Sequence, residues 1–331
     1  GESARPDRAC GDPRGWAARA DGVGGRGDPG DHRQGHYFGR YPSANLYHDG
    51  IWYIGTYGLT SADYTGYNWP ILGPFCGFHI SHDDGKTWTP SPWNPEVGNS
   101  MFGEPTVARG PVKLGALHVV DFGRNMEHSP DGKMYLIGHG SDIPDQTHRK
   151  ASNSWITGDH IYLCRVSPRV DAVNDPSAYE FFAGHDASGA ARWSSRFEDI
   201  RPVLEWPGHT GCVTATYHPA LNKYLMVFTD GRETVAEMDS YVLEADALTG
   251  PYRLVWSQRD FGPQAYFLNF PSRFLSVDGK TGWLCLSANF CLPDRLNPLK
   301  GNPVGSCYRL CLLECAFDVP ADDQRKKAAA S

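Results

Sequence analysis

The sequence has no run of apolar residues approaching the ~20 that a membrane-spanning helix needs, and no leader pattern is visible at residue 1. It also lacks an excess of positive charge. Its 31 Lys and Arg against 38 Asp and Glu give a formal net charge of −7, so there is no basic field for a nucleic-acid backbone and no nucleic-acid partner is expected. There is no HExxH, no Gly-x-Ser-x-Gly elbow and no glycine-rich phosphate loop between a strand and a helix, which sets aside zincin, serine-hydrolase and nucleotide-binding readings. The cysteines form no CxxC pair. Cys307, Cys311 and Cys315 recur every four residues in the strand-like run CYRLCLLECAF with no histidine beside them, which argues against a zinc site.

What the chain does have is 37 Gly, 25 Pro and 12% aromatic residues in 331, a mixture that suits many short strands joined by turns. Nine cysteines are an odd number, so at least one is free or pairs outside the chain. Cys76, Cys164, Cys212 and Cys285 lie in apolar runs and read as buried small hydrophobes, whereas Cys291 and Cys307 flank a loop that a bridge between them could close. Residues 1–35 are rich in Gly, Arg and Asp without apolar periodicity and read as a disordered tail, and 318–331 reads as a C-terminal tail. Between them, residues 36–317 read as one domain.

One pattern returns four times in that domain. The hairpins YFGRYPSANLYHDG/IWYIGTYG, VDFGRNMEHSPDG/KMYLIGHG, GHTGCVTATYHPALN/KYLMVFTDG and FLNFPSRFLSVDG/TGWLCLSANF each close on a tight turn, and each is followed by further strand-like runs. Tandem four-stranded antiparallel units imply an all-β β-propeller, with five blades expected and six the alternative. GEPTVARG with GALHVV, or ARWSSRFEDIRPVLEW, would supply the fifth.

Blade topology sorts the connections onto two faces. The long loops at 57–74, 93–120, 139–158, 184–210, 230–239, 257–266 and 290–305 share one, and the short turns at 48–50, 83–86, 130–132, 219–222, 246–250 and 278–280 share the other. A ligand is expected on the long-loop face. The turn SHDDGKTW falls on the short-turn face, with Asp83 accepting backbone hydrogen bonds, Gly85 at positive φ and the Trp88 indole folded over the loop. Its Ser81, Asp83, Gly85, Thr87, Trp88 pattern resembles the Asp-box of sialidases and related propellers. The whole is similar to the arabinanase and fructosidase type of propeller glycoside hydrolase. The resemblance implies a compact propeller with acidic residues at its centre, acting on an oligosaccharide or polysaccharide.

Glycoside hydrolysis needs two carboxyl groups, about 5–5.5 Å apart for retention or about 6.5–9.5 Å for inversion. VDFGRNMEHSPDG packs Asp121, Arg124, Asn125, Glu127 and His128 where an inner strand is expected to begin, and Glu127 is the candidate acid/base. Its partner should come from another blade, and Asp239 and Asp159 occupy matching places before third strands. Asp121, His128 and His209 complete the catalytic candidates. Arg124, Asn125, Glu104, Arg232, His139, Trp155, Trp69 and Tyr266 are candidates for binding substrate, the aromatic rings matching sugar faces. No cofactor is required and no metal ligands are assigned, although a structural calcium ion is compatible with the oxygen ligands near the axis.

Two alternatives stay open on these residues. One is a polysaccharide lyase, in which His and Tyr abstract a proton while Arg124 or Arg232 neutralises a uronate. The other is a non-catalytic carbohydrate-binding propeller. A monomer without membrane contact is expected, secreted or extracytoplasmic in the first instance and cytoplasmic in the second.

Overall fold

The structure is a computed structural model that describes residues 39–60, 71–94, 100–104, 112–142, 153–154, 157–230, 238–261, 265–288 and 309–320. The expected tail at 1–35, most of that at 318–331, and the candidate residues Trp69, Trp155 and Arg232 lie outside the described residues.

The described chain is strand and turn, with helix only as short 3-10 segments. The first sheet begins with β1 (Gly39–His48), β2 (Ile51–Thr60) and β3 (Ile71–Ser81), a meander in strand order. The second opens with β4 (Gly115–Val119) and β5 (Met134–Gly140). The chain then returns to the edge of the first sheet through β6 (Asn153–Ser154) and β7 (Thr157–Gly158). It re-enters the second with β8 (His160–Val166), β9 (Glu180–His185) and β10 (Ala191–Ser194), and adds β11 (Leu204–Glu205) to β8. The third sheet is β12 (Gly211–His218), β13 (Lys223–Asp230), β14 (Asp239–Ala245) and β15 (Arg253–Gln258). The fourth is β16 (Tyr266–Asn269), β17 (Thr281–Ala288) and β18 (Arg309–Ala316).

These consecutive antiparallel meanders are the blades of a β-propeller. Their first strands meet in sequence, β1 against β4, β4 against β12 and β12 against β16. Of the segments expected to build a fifth blade, GALHVV and 191–205 belong to the second sheet, while 105–110 of GEPTVARG lie outside the described residues. GALHVV is that sheet's inner strand, and 191–205 extends its outer part.

The apolar alternation of the strands fills the space between blades. Phe102, from the segment before the second blade, stacks on Phe75 at 6.3 Å and on Phe197 at 5.6 Å, and meets Phe181 edge-on at 5.2 Å. Cys76, Cys164, Cys212 and Cys285 are buried and outside any disulfide.

The inner strands share an irregularity. Ala116, Cys212 and Phe267, each the second residue of its strand, lie at φ 46°, 48° and 52°, and the pairing register slips just beyond each. These are bulges, in which one extra residue bends the strand. Beside them, Tyr57, Val112, Ala116, Cys212, Met238 and Tyr266 form one buried apolar cluster drawn from each of the four described sheets.

Candidate active site

The turn 81–88 forms the bonds read from its sequence. Asp83 Oδ1 accepts from Thr87 N at 2.8 Å and Oδ2 from Thr87 Oγ1 at 2.7 Å. Gly85 N donates to Ser81 Oγ at 2.9 Å with φ 80°, and the Trp88 indole N–H donates to Gly85 O at 3.0 Å. These donors, the Thr87 N–H foremost, hold the Asp83 carboxyl down to about 2. Trp88 is half-buried, less covered than a core tryptophan.

The segment around Glu127 needs a correction. The inner strand of its blade is β4, which ends before Asp121, so Arg124, Asn125, Glu127 and His128 lie in the connection from β4 to β5. That connection is on the short-turn face, where Asn125 Nδ2 donates to Asp49 Oδ1 at 2.8 Å and Asn125 Oδ1 accepts from Asp49 N at 3.0 Å. Glu127 is exposed, and its Oε1 accepts the N–H of Arg124 at 3.1 Å. Asp159 follows the far end of β5, whose seven residues span about 20 Å. Asp239 is likewise at the long-loop end of β14, while Asp121 bridges Thr216 near the opposite end of the third blade. Glu127 therefore does not meet either proposed partner. Asp121 is occupied by Gly123 N at 2.9 Å and Ser272 N at 2.7 Å, which ties two blades together.

At the long-loop face the structure gathers a different set. Asp230 ends β13 and Asp239 begins β14, and the two are direct cross-strand partners, 0% and 3% exposed. Asp239 Oδ1 accepts the N–H of Asp260 at 2.9 Å, with Arg259 Nε 3.9 Å from Oδ2. Asp230 Oδ2 lies 2.7 Å from Nδ1 of His209, whose side chain is 39% exposed. With Nδ1 donating to the buried carboxylate, Nε2 is the nitrogen left for chemistry. The His209 ring lies 4.8 Å from Trp206, which is 4.8 Å from Tyr241.

Asp159 holds the loop that carries His209. Its Oδ1 accepts from Gly208 N at 2.9 Å, its Oδ2 from Ser141 Oγ at 2.9 Å, and its carbonyl from Trp206 N at 2.8 Å. Other candidates face inward. Tyr266 belongs to the apolar cluster at the axis and His139 is fully buried. Glu104, in the connection from β3 to β4, is 5% exposed. Trp206, and the role of Asp230 as partner to His209, were not singled out from the sequence. The available signals were a carboxylate closing the apolar run KYLMVFTD and the motif WPGHTG. Among the described residues no group of three or more His, Cys, Asp or Glu side chains is arranged to hold a metal ion.

No protein-family model matches this chain, and no curated protein matches it. Among solved structures it is similar to a Bacteroides ovatus protein at 14% identity and TM-score 0.45, over 85% of this chain and 61% of that one. It is similar to an endo-arabinase from Bacteroides thetaiotaomicron at 11% identity and TM-score 0.40, over 84% and 75%. A third likeness is to the endo-1,5-alpha-L-arabinanase of Thermotoga petrophila, at 12% identity and TM-score 0.40, over 83% and 56%. The chain thus spans less than two thirds of the first and third of these.

Proposed function

We propose that this protein is a glycoside hydrolase acting on an oligosaccharide or polysaccharide, with His209 as its proton-transfer group and Asp230 as the carboxylate that orients it. The observation that carries the reading is the 2.7 Å contact between a fully buried carboxylate and a part-exposed imidazole on the long-loop face. A buried carboxylate fixes the tautomer of the ring and stabilises its protonated form, so Nε2 can give its proton to the departing glycosidic oxygen as the C–O bond breaks and water adds at the anomeric carbon, the proton lost by that water returning to Nε2. Trp206, part-exposed and 4.8 Å from the His209 ring, supplies a flat apolar ring of the kind a sugar stacks on. Asp239, the cross-strand partner of Asp230, places a second buried carboxylate beside the first.

The test is turnover on a panel of neutral and acidic polysaccharides, followed by release of reducing ends. His209→Gln should lower kcat by about 10²–10⁴-fold with the fold intact, and Asp230→Asn should fall in the same direction. Parent-level turnover by folded His209→Gln protein would overturn the assignment. The histidine base also fits β-elimination from a uronate. Reducing ends formed together with an unsaturated, ultraviolet-absorbing product would move the reading from hydrolase to lyase at the same residues.

A further inference from the structure

Glu104 is a buried carboxyl group with only one oxygen satisfied. Its Oε1 accepts the N–H of Lys113 at 2.5 Å and of Leu114 at 3.4 Å, whereas Oε2 is enclosed without a partner. A half-satisfied buried carboxylate is expensive, and in a native fold it calls for a reason. Burial raises this carboxyl to about 7, opposed by the two N–H donors and the Lys113 charge. The titratable groups that face it are Lys113 on its own connection and Tyr162 and Cys164 on β8.

The backbone that Glu104 grips leads to His209. Val112, next to Lys113, accepts the N–H of Ser141 at 2.9 Å, and Ser141 Oγ donates to Asp159 Oδ2 at 2.9 Å. Asp159 Oδ1 accepts the N–H of Gly208, beside His209, at 2.9 Å. These segments touch backbone to backbone. A Cβ on Gly140 would lie 2.1 Å from Val112 O, and one on Gly158 2.7 Å from Thr210 O. Between the close backbone contacts the route is carried by the short Ser141 and Asp159 side chains alone, which leaves little slack to absorb a shift.

We propose that Glu104 is a positioning residue for His209, acting through Lys113, Val112, Ser141, Asp159 and Gly208. Its importance for turnover rests on the proposed role of His209; the coupling itself does not. An ionised carboxylate accepts more strongly than a neutral one, so loss of the Glu104 proton tightens the hold on Lys113 and Leu114 and draws on the chain beyond. A contiguous route becomes a coupling only when perturbing one end is read at the other.

The experiment is an NMR titration of the His209 ring in the full-length protein, its signal identified by loss in His209→Gln. The parent should show the histidine's own inflection and a second one near pH 7. Glu104→Gln should abolish the second, Glu104→Asp should displace it, and Asp159→Asn, which cuts the route midway, should abolish it while leaving Glu104 in place. The pH profile of kcat should lose the same limb in Glu104→Gln. If His209 titrates identically in the parent and Glu104→Gln, the proposal fails. If Glu104→Gln does not fold, a second inflection that persists in Asp159→Asn overturns it. Inactivity of the parent on every glycan would sink the proposed function, but the ring titration would still decide the coupling.

Discussion

Asp121 on the second blade accepts the backbone N–H of Ser272 on the fourth at 2.7 Å, across 151 residues of sequence. Its other oxygen takes Gly123 N, and its backbone pairs with the third blade through Ala215 O and Tyr217 N. One aspartate therefore joins three blades at the short-turn face. Asp121→Ala should lower stability by about 1–3 kcal/mol, because two N–H groups lose their acceptor. The loss should appear in the denaturant midpoint, with the turnover of the folded fraction unchanged.

Glu104 should leave a mark on stability against pH. Its carboxyl is raised from 4.5 to about 7 in the folded state, so between those values the native protein holds a proton that the unfolded chain has released. Stability from this group therefore falls as pH rises from about 4.5 to 7, by roughly 2–4 kcal/mol, and is level above that. Glu104→Gln should flatten this slope in denaturant midpoints collected across the range. A slope unchanged by the substitution would place the proton elsewhere.

Two histidines act in the opposite sense. Burial lowers both His79 and His118 to about 4, His79 helped by the Arg40 charge and His118 by His139. The unfolded chain takes up protons near 6.5 while the native rings stay neutral, so stability is lost as pH falls from about 6.5 towards 4. His118→Asn should reduce the acid sensitivity of the unfolding midpoint even if it lowers the midpoint at neutral pH.

The hairpin at 81–88 should matter for folding and not for chemistry. Asp83→Ala removes the acceptor of both Thr87 donors and should lower the thermal midpoint. Trp88 is half-buried, so Trp88→Ala should lose less than the 3–5 kcal/mol typical of a core aromatic. Loss of turnover in an Asp83→Ala protein of unaltered stability would contradict the separation of the two faces.

Much of the architecture is legible in the strand-turn-strand repeat and in turns such as Asp83 to Trp88, whose chemistry is local. What misleads is the start of the second blade. Asp121 to His128 is the most polar stretch near a predicted inner strand, yet Gly115–Val119 already supplies that strand, and one displaced strand moves the cluster to the other face. The partnership of His209 and Asp230 spans 21 residues and depends on where β13 ends, which periodicity does not specify. The left-handed Ala116, Cys212 and Phe267 share no residue type, so nothing in the sequence announces the bulges they form.

The apolar cluster of Tyr57, Val112, Ala116, Cys212, Met238 and Tyr266 has a geometric consequence. Each of the four described sheets contributes to it, so apolar side chains fill the space where their inner strands begin. The loop that carries His209 is itself held by Asp159 next to β8, so the seam between the second and third sheets, and not one sheet alone, sets the position of that ring.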